Sequence, residues 1–175
     1  MNTIASRLKA IAVTALAFAA GAFAMLGLVW VLGAYLPDGL GGAALDSYGP
    51  HGSIAALTDL RAVSALTAAF LVITGLVLVI DSAYCDRMIG VFSDVLLMVM
   101  AAIAGFVAGY WLLLRLADYA NFIGMGFVRA AIVCPLIVFG VSLLPLGRIR
   151  GNWPMRIAMI LLLLASGPAL LVLTD

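Results

Sequence analysis

Hydrophobic positions along this chain gather into five long runs, and the segments between them hold most of the charge. The runs cover about residues 8–36, 60–80, 88–114, 122–146 and 155–173. A bilayer core of ~30 Å takes about twenty residues at ~1.5 Å each, so every run is long enough to cross. Backbone groups in hydrocarbon must be satisfied within the segment, and at these lengths only helices do that. The predicted fold is an all-α integral membrane protein, a bundle of about five transmembrane helices forming one domain over residues 1–175.

The first run opens at Arg7 and Lys9 and carries no further charge to Leu36. Ala22-Phe23-Ala24 mimics the cleavage site of a signal peptide, but the apolar stretch continues well past it, so an uncleaved and tilted helix is expected. Residues 37–59 form the only sizeable loop, rich in glycine and containing Asp38, Asp46 and His51. Thr58 or Asp59 is placed to cap the second helix. The remaining connections, 81–87, 115–121 and 147–154, are short turns.

Composition narrows the class further. Apolar residues make up 66% of the chain and charged ones 10%, with a mean hydropathy of +1.27, against the ~25% charged residues of a soluble domain. So few charges could not cover a water-soluble fold. A net charge of +1 implies neither a nucleic-acid partner nor strong attraction to anionic lipid. Arginine outnumbers lysine eight to one, and all eight acidic residues are aspartate. With abundant alanine and glycine, this usage points to a GC-rich bacterial genome and hence to a bacterial inner membrane.

Orientation follows from the basic residues of the short loops. With the N-terminus cytoplasmic, the inner side holds Arg7, Lys9, Arg87, Arg148, Arg150 and Arg156, and the outer side holds Arg61 and Arg115. Trp30, Tyr35, Tyr110, Trp111 and Tyr119 then fall at the outer boundary, and Tyr84 and Trp153 at the inner one. The odd number of spans puts the C-terminus outside.

Lipid tails are as apolar as leucine, so membrane helices associate by close packing of small residues. The third span carries Ala101, Gly105 and Gly109 at four-residue spacing, and the fourth carries Gly126, Ala130 and Cys134. The first pairs Ala15 with Ala19, Ala17 with Gly21, and Ala20 with Ala24. These seams are expected to pack helices inside the bundle or against another protein.

Two charges stand inside the spans. Asp94 shares the wheel position of Ala101 and Gly105 to within about 20°, which turns it toward the seam. A mid-membrane Asp opposes insertion by ~2.5–3.5 kcal/mol, while each Leu, Ile, Phe or Val favours it by ~0.3–0.6. Thirteen such residues in the third span outweigh one off-centre carboxylate. Arg129 lies about seven residues into the fourth span from the outer side. Ion pairs are expected between Asp94 and Arg148 or Arg156, and between Arg129 and Asp59 or Asp118, with arginine stems snorkelling to the interface.

Catalytic patterns are missing where they would be needed. The chain has no phosphate loop, no GxSxG, no HExxH and no histidine pair for haem. His51 is the only histidine, so no metal site and no cofactor are expected. Asp81, Asp86 and Asp94 are close enough in sequence to hold a divalent cation, but Asp81 and Asp86 flank a turn beside Arg87 and read more simply as a charge-neutral hairpin. Cys85 and Cys134 lie at different depths and form no disulfide. The reading that fits is a non-catalytic subunit that stabilises or assembles a larger membrane complex, respiratory, photosynthetic or transport. Its partners would be other integral membrane subunits and lipid. The alternative is a small transporter or channel component with a polar path through Asp94 and Arg129.

Overall fold

The computed structural model describes residues 4–35, 60–80, 82–116 and 124–174, and its described residues are helical with short turns. Six helices follow one another: α1 (Ile4–Tyr35), α2 (Leu60–Val77), α3 (Ala83–Leu116), α4 (Met125–Ser142), α5 (Leu146–Gly151) and α6 (Trp153–Thr174). Four of them contain stretches long and apolar enough to cross a membrane, Ile4–Leu28, Tyr84–Leu116, Met125–Ser142 and Trp153–Val172. The chain is thus a multi-pass membrane protein by the length and composition of its helices. The loop 37–59 with His51, and also Asp81, Asp118 and Tyr119, lie outside the described residues.

Helix ends need not coincide with the limits of the apolar runs, and three of them have a local cause in the backbone. α2 ends at Val77 instead of Ile80, because the N–H groups of Val79 and Ile80 turn back to the carbonyls of Leu76 and Val77, a tighter three-residue pitch. α3 begins at Ala83 instead of Met88: the N–H groups of Cys85 and Asp86 both reach the Ser82 carbonyl, and Asp86 in the first turn suits the positive end of the helix. α4 stops at Ser142 ahead of Pro145, and the expected turn at 147–154 contains the short helix α5.

The described chain resolves into two compact units. The first comprises Met1–Asp59 and Met98–Val128, and so contains α1 and the second half of α3. Here α1 and α3 run parallel, since Ala15 meets Gly105, Ala19 meets Gly109 and Gly27 meets Leu113. A Cβ placed on Gly105 would fall onto the backbone carbonyl of Ala15, and one on Gly109 onto that of Ala19. At this closeness a glycine Cα–H points at each carbonyl oxygen, the geometry of weak Cα–H···O bonds. Beyond the contact, Leu26, Tyr110, Leu113 and Leu114 form a buried cluster, with Phe23 and Phe106 packed on it. Tyr110 is fully buried, so its ring serves this core rather than a lipid-facing boundary. Thr14 Oγ1 donates to Met98 Sδ at 3.3 Å, and Arg115 lies 5.9 Å from the Trp111 ring one turn away.

The second unit comprises Leu60–Leu97 and Arg129–Asp175. Its centre is the antiparallel pair α2 and α6. Gly167 takes the place where a Cβ would lie 2.8 Å from Val72 Cγ2 and 3.1 Å from the Ala68 carbonyl, and Gly75 sits against Leu163 and Leu164. The face of α2 turned inward is partly polar, with Ser64, Thr67 and Thr74 fully buried. Thr67 and Thr74 donate to the carbonyls of Val63 and Phe70 one turn back, at 2.9 and 2.8 Å, which satisfies hydroxyls that have no water to bond. Phe70 stacks on Phe92 of α3 with ring centroids 6.0 Å apart. On α4, Ala130, Cys134 and Val138 are buried at four-residue spacing.

The contact of α1 with α3 yields a matched test. Gly105→Ala and Gly109→Ala should each lower unfolding free energy in detergent by about 1–3 kcal/mol, the usual cost of forcing an extra methyl into a full site. Gly21→Ala and Gly140→Ala, where the added methyl meets no described atom within 4 Å outside its own stretch of helix, should stay within about 0.5 kcal/mol of the parent chain.

Candidate functional site

The densest polar construction in the second unit stands where α2 ends. A helix leaves its last carbonyls without intrahelical donors. Two arginines from the α5–α6 region fill that need. Arg156 donates through Nε to the Leu78 carbonyl at 2.9 Å and through Nη2 to that of Val79 at 2.6 Å. Arg150 donates through Nη1 to the Ser82 carbonyl and through Nη2 to that of Val77 at 3.2 Å. Guanidinium charge at this end also opposes the negative pole of α2.

Local sequence explains how Arg150 arrives there. Pro145 precedes α5 and its carbonyl accepts from the N–H groups of Arg148 and Ile149. Leu146 and Ile149 are buried and anchor the short helix, which turns Arg150 inward and leaves Arg148 exposed. The Arg150 side chain is only 6% exposed, and its Nη2 lies 2.9 Å from Asp86 Oδ1 of α3, a carboxylate that is 26% exposed. That approach is a charge contact and not an aligned hydrogen bond: Oδ1 is left without a donor, and the buried Nε of Arg150 without an acceptor, among the described residues. A single guanidinium thus ties the end of α2, the start of α3 and α5 together.

The structure gives Asp86 a different counter-ion from the neighbour expected in the sequence. Asp86 faces Arg150, and Arg87 is exposed. Arg156, expected beside a carboxylate, spends Nε and Nη2 on carbonyls. Asp94 lies two turns beyond Asp86 on α3 and is half-buried, and Arg129 is exposed on α4. Asp59 and Asp118, the expected partners of Arg129, lie outside the described residues. Ala101, Gly105 and Gly109 are all buried on α3; on α4, Ala130 is buried and Gly126 exposed.

Among the described residues, no three His, Cys, Asp or Glu side chains are grouped so as to hold a metal ion. Both cysteines are free thiols, Cys85 half-buried and Cys134 buried, with Cys134 in hydrogen-bonding contact with Thr67. The arginine cluster acts as a lock, joining its elements through charge and hydrogen bonds. Comparison of the chain with protein-family models, with curated proteins and with solved structures finds no match.

The lock has a measurable strength. Arg150→Gln should destabilise the protein in detergent by about 2–4 kcal/mol, less than the ~3–5 of a wholly buried pair because Asp86 keeps some exposure. Arg150→Lys should recover only part of this loss, since an ammonium cannot fork between two carbonyls and a carboxylate. Equal stability of Arg150→Lys and the parent in thermal or denaturant unfolding would show that charge alone suffices.

Proposed function

We propose that the chain is a non-catalytic multi-pass subunit that stabilises or assembles a larger membrane protein complex in a bacterial inner membrane. The observation that carries this reading is an open small-residue face on α1. That helix has two such faces: Ala15 and Ala19 are covered by α3, whereas Ala17 and Gly21, at the same spacing, are exposed. A groove of about 350 Å³ runs along the second face, lined by Ala17, Phe18, Gly21, Ala22, Met25 and Phe106. Outside its own stretch of helix, nothing among the described residues lies within 4 Å of where a Gly21 Cβ would be. A helix of another subunit can approach there as α3 approaches the first face. The described side chains of α1 bury only Ala22 and Leu26 within this chain, which leaves most of its surface for other membrane components.

We further infer five crossings, with the N-terminus cytoplasmic and the C-terminus outside. Parallel α1 and α3 support this count, because a chain that crosses twice in one direction must return in between. α2 is the apolar helix of that stretch, and its 18 residues span ~27 Å. Its antiparallel contact with α6 extends from Leu78 beside Arg156 to Ala68 beside Gly167, so it accompanies a full-length span over most of its course. The excess of arginine and lysine on one side sets the direction.

Native mass measurement after mild-detergent extraction from the source membrane should find the chain with other integral membrane proteins. Recovery of the chain alone, or solely as its own oligomer, would overturn the subunit reading. Gly21→Leu should release the partner while leaving unfolding of the isolated chain unchanged, because the site is open. For the topology, reporters fused to the two ends should label from opposite sides of sealed vesicles, and labelling from one side would remove the odd count.

A further inference from the structure

We propose that the end of the second unit bearing α5 is a docking surface for the anionic headgroups of membrane phospholipids. The inference does not rest on the subunit reading; it needs only that these helices stand in a bilayer. The contacts of Arg150 and Arg156 bring residues 77–86 and 150–156 to one end of the unit. Over residues 77–88 and 145–156 the sequence carries four arginines (87, 148, 150 and 156) against two aspartates, Asp81 and Asp86, a local excess of positive charge.

These charges divide by role. Arg150 is buried against Asp86, and Arg156 is turned onto the carbonyls of Leu78 and Val79. Arg87 and Arg148 are exposed, with no contact drawn from the lock itself. They flank its two fixed points, Arg87 beside Asp86 and Arg148 two residues before Arg150. Their backbone is therefore held before any ligand arrives, which lowers the ordering cost of binding.

The surroundings favour a lipid over water alone. Tyr84 is 69% and Trp153 73% exposed, and Met88 and Met155 are exposed beside them. Amphipathic rings and exposed apolar side chains next to guanidinium groups match the depth of a bilayer where headgroup phosphates lie. A chain-wide charge of +1 conceals this grouping. Screening confines each charge to a Debye length of ~8 Å at physiological ionic strength, so a lipid at this end senses the local arginines and not the sum over the chain.

The test is lipid binding to the full chain in detergent, measured by native mass spectrometry with phosphatidylglycerol and phosphatidylcholine of identical tails. Phosphatidylglycerol should bind more tightly, and Arg87→Gln and Arg148→Gln should each weaken it about fivefold, the effect of one basic residue near an anionic surface. The double variant should bind the two lipids alike, and added salt should erase the preference of the parent chain. Arg115→Gln, a lone exposed arginine stacked on Trp111, should leave the preference within twofold. Because Arg87 and Arg148 are exposed, unfolding without added lipid should not change in these variants. Equal binding of the two lipids by the parent chain, or a preference that survives the double substitution, would overturn the proposal.

Discussion

A helix leaves its last carbonyls without donors of its own, and the end of α2 shows how this protein supplies them. The helix stops at Val77, and the carbonyls of Val77, Leu78, Val79 and Ser82 find donors in two guanidinium groups from the α5–α6 region. In an apolar environment each unpaired backbone group would cost several kcal/mol. The pairing joins the end of α2 and the start of α3 to α5 and α6, while the burial of Leu146 and Ile149 sets which way α5 is turned. Buried hydroxyls follow the same rule on a smaller scale, since Thr67 and Thr74 return to their own helix.

Helix association depends on a different physical term. Burial from water contributes little between helices in lipid, so dispersion at close range and weak polar contacts must hold them. The approach of α1 to α3 maximises both, because Gly105 and Gly109 let backbone touch backbone. In the second unit Gly167 and Gly75 play a looser version of this part between α2 and α6, where side-chain atoms intervene. The two units thus share a chemistry of packing while differing in the distance at which their backbones meet.

Much of this was legible from the order of residues. Uniformly apolar runs with charged punctuation announce membrane helices, and four of the five appear as long apolar helices. The shortness of α2 was not legible, because Leu78, Val79 and Ile80 are as hydrophobic as the helix before them, and a change of pitch leaves no mark on hydropathy. The short helix α5 was hidden for a similar reason: Leu146, Gly147, Arg148, Ile149 and Arg150 look like a basic turn, and only the burial of Leu146 and Ile149 separates the inward arginine from the outward one. Likewise, a charge on paper suggests an opposite charge as partner. Carbonyls at a helix end have no letter in the sequence, so the role of Arg156 depends on geometry that the alphabet does not record.

The parallel contact of α1 with α3 also has a temporal side. Ala15 and Gly105 are about 90 residues apart in the chain, and a ribosome adding ~5–20 residues per second needs roughly 5–18 s to join them. During that interval α3 is not yet there to cover Ala15 and Ala19. Because α1 satisfies its own backbone hydrogen bonds, lipid tails can occupy that flank until its mate emerges and displaces them.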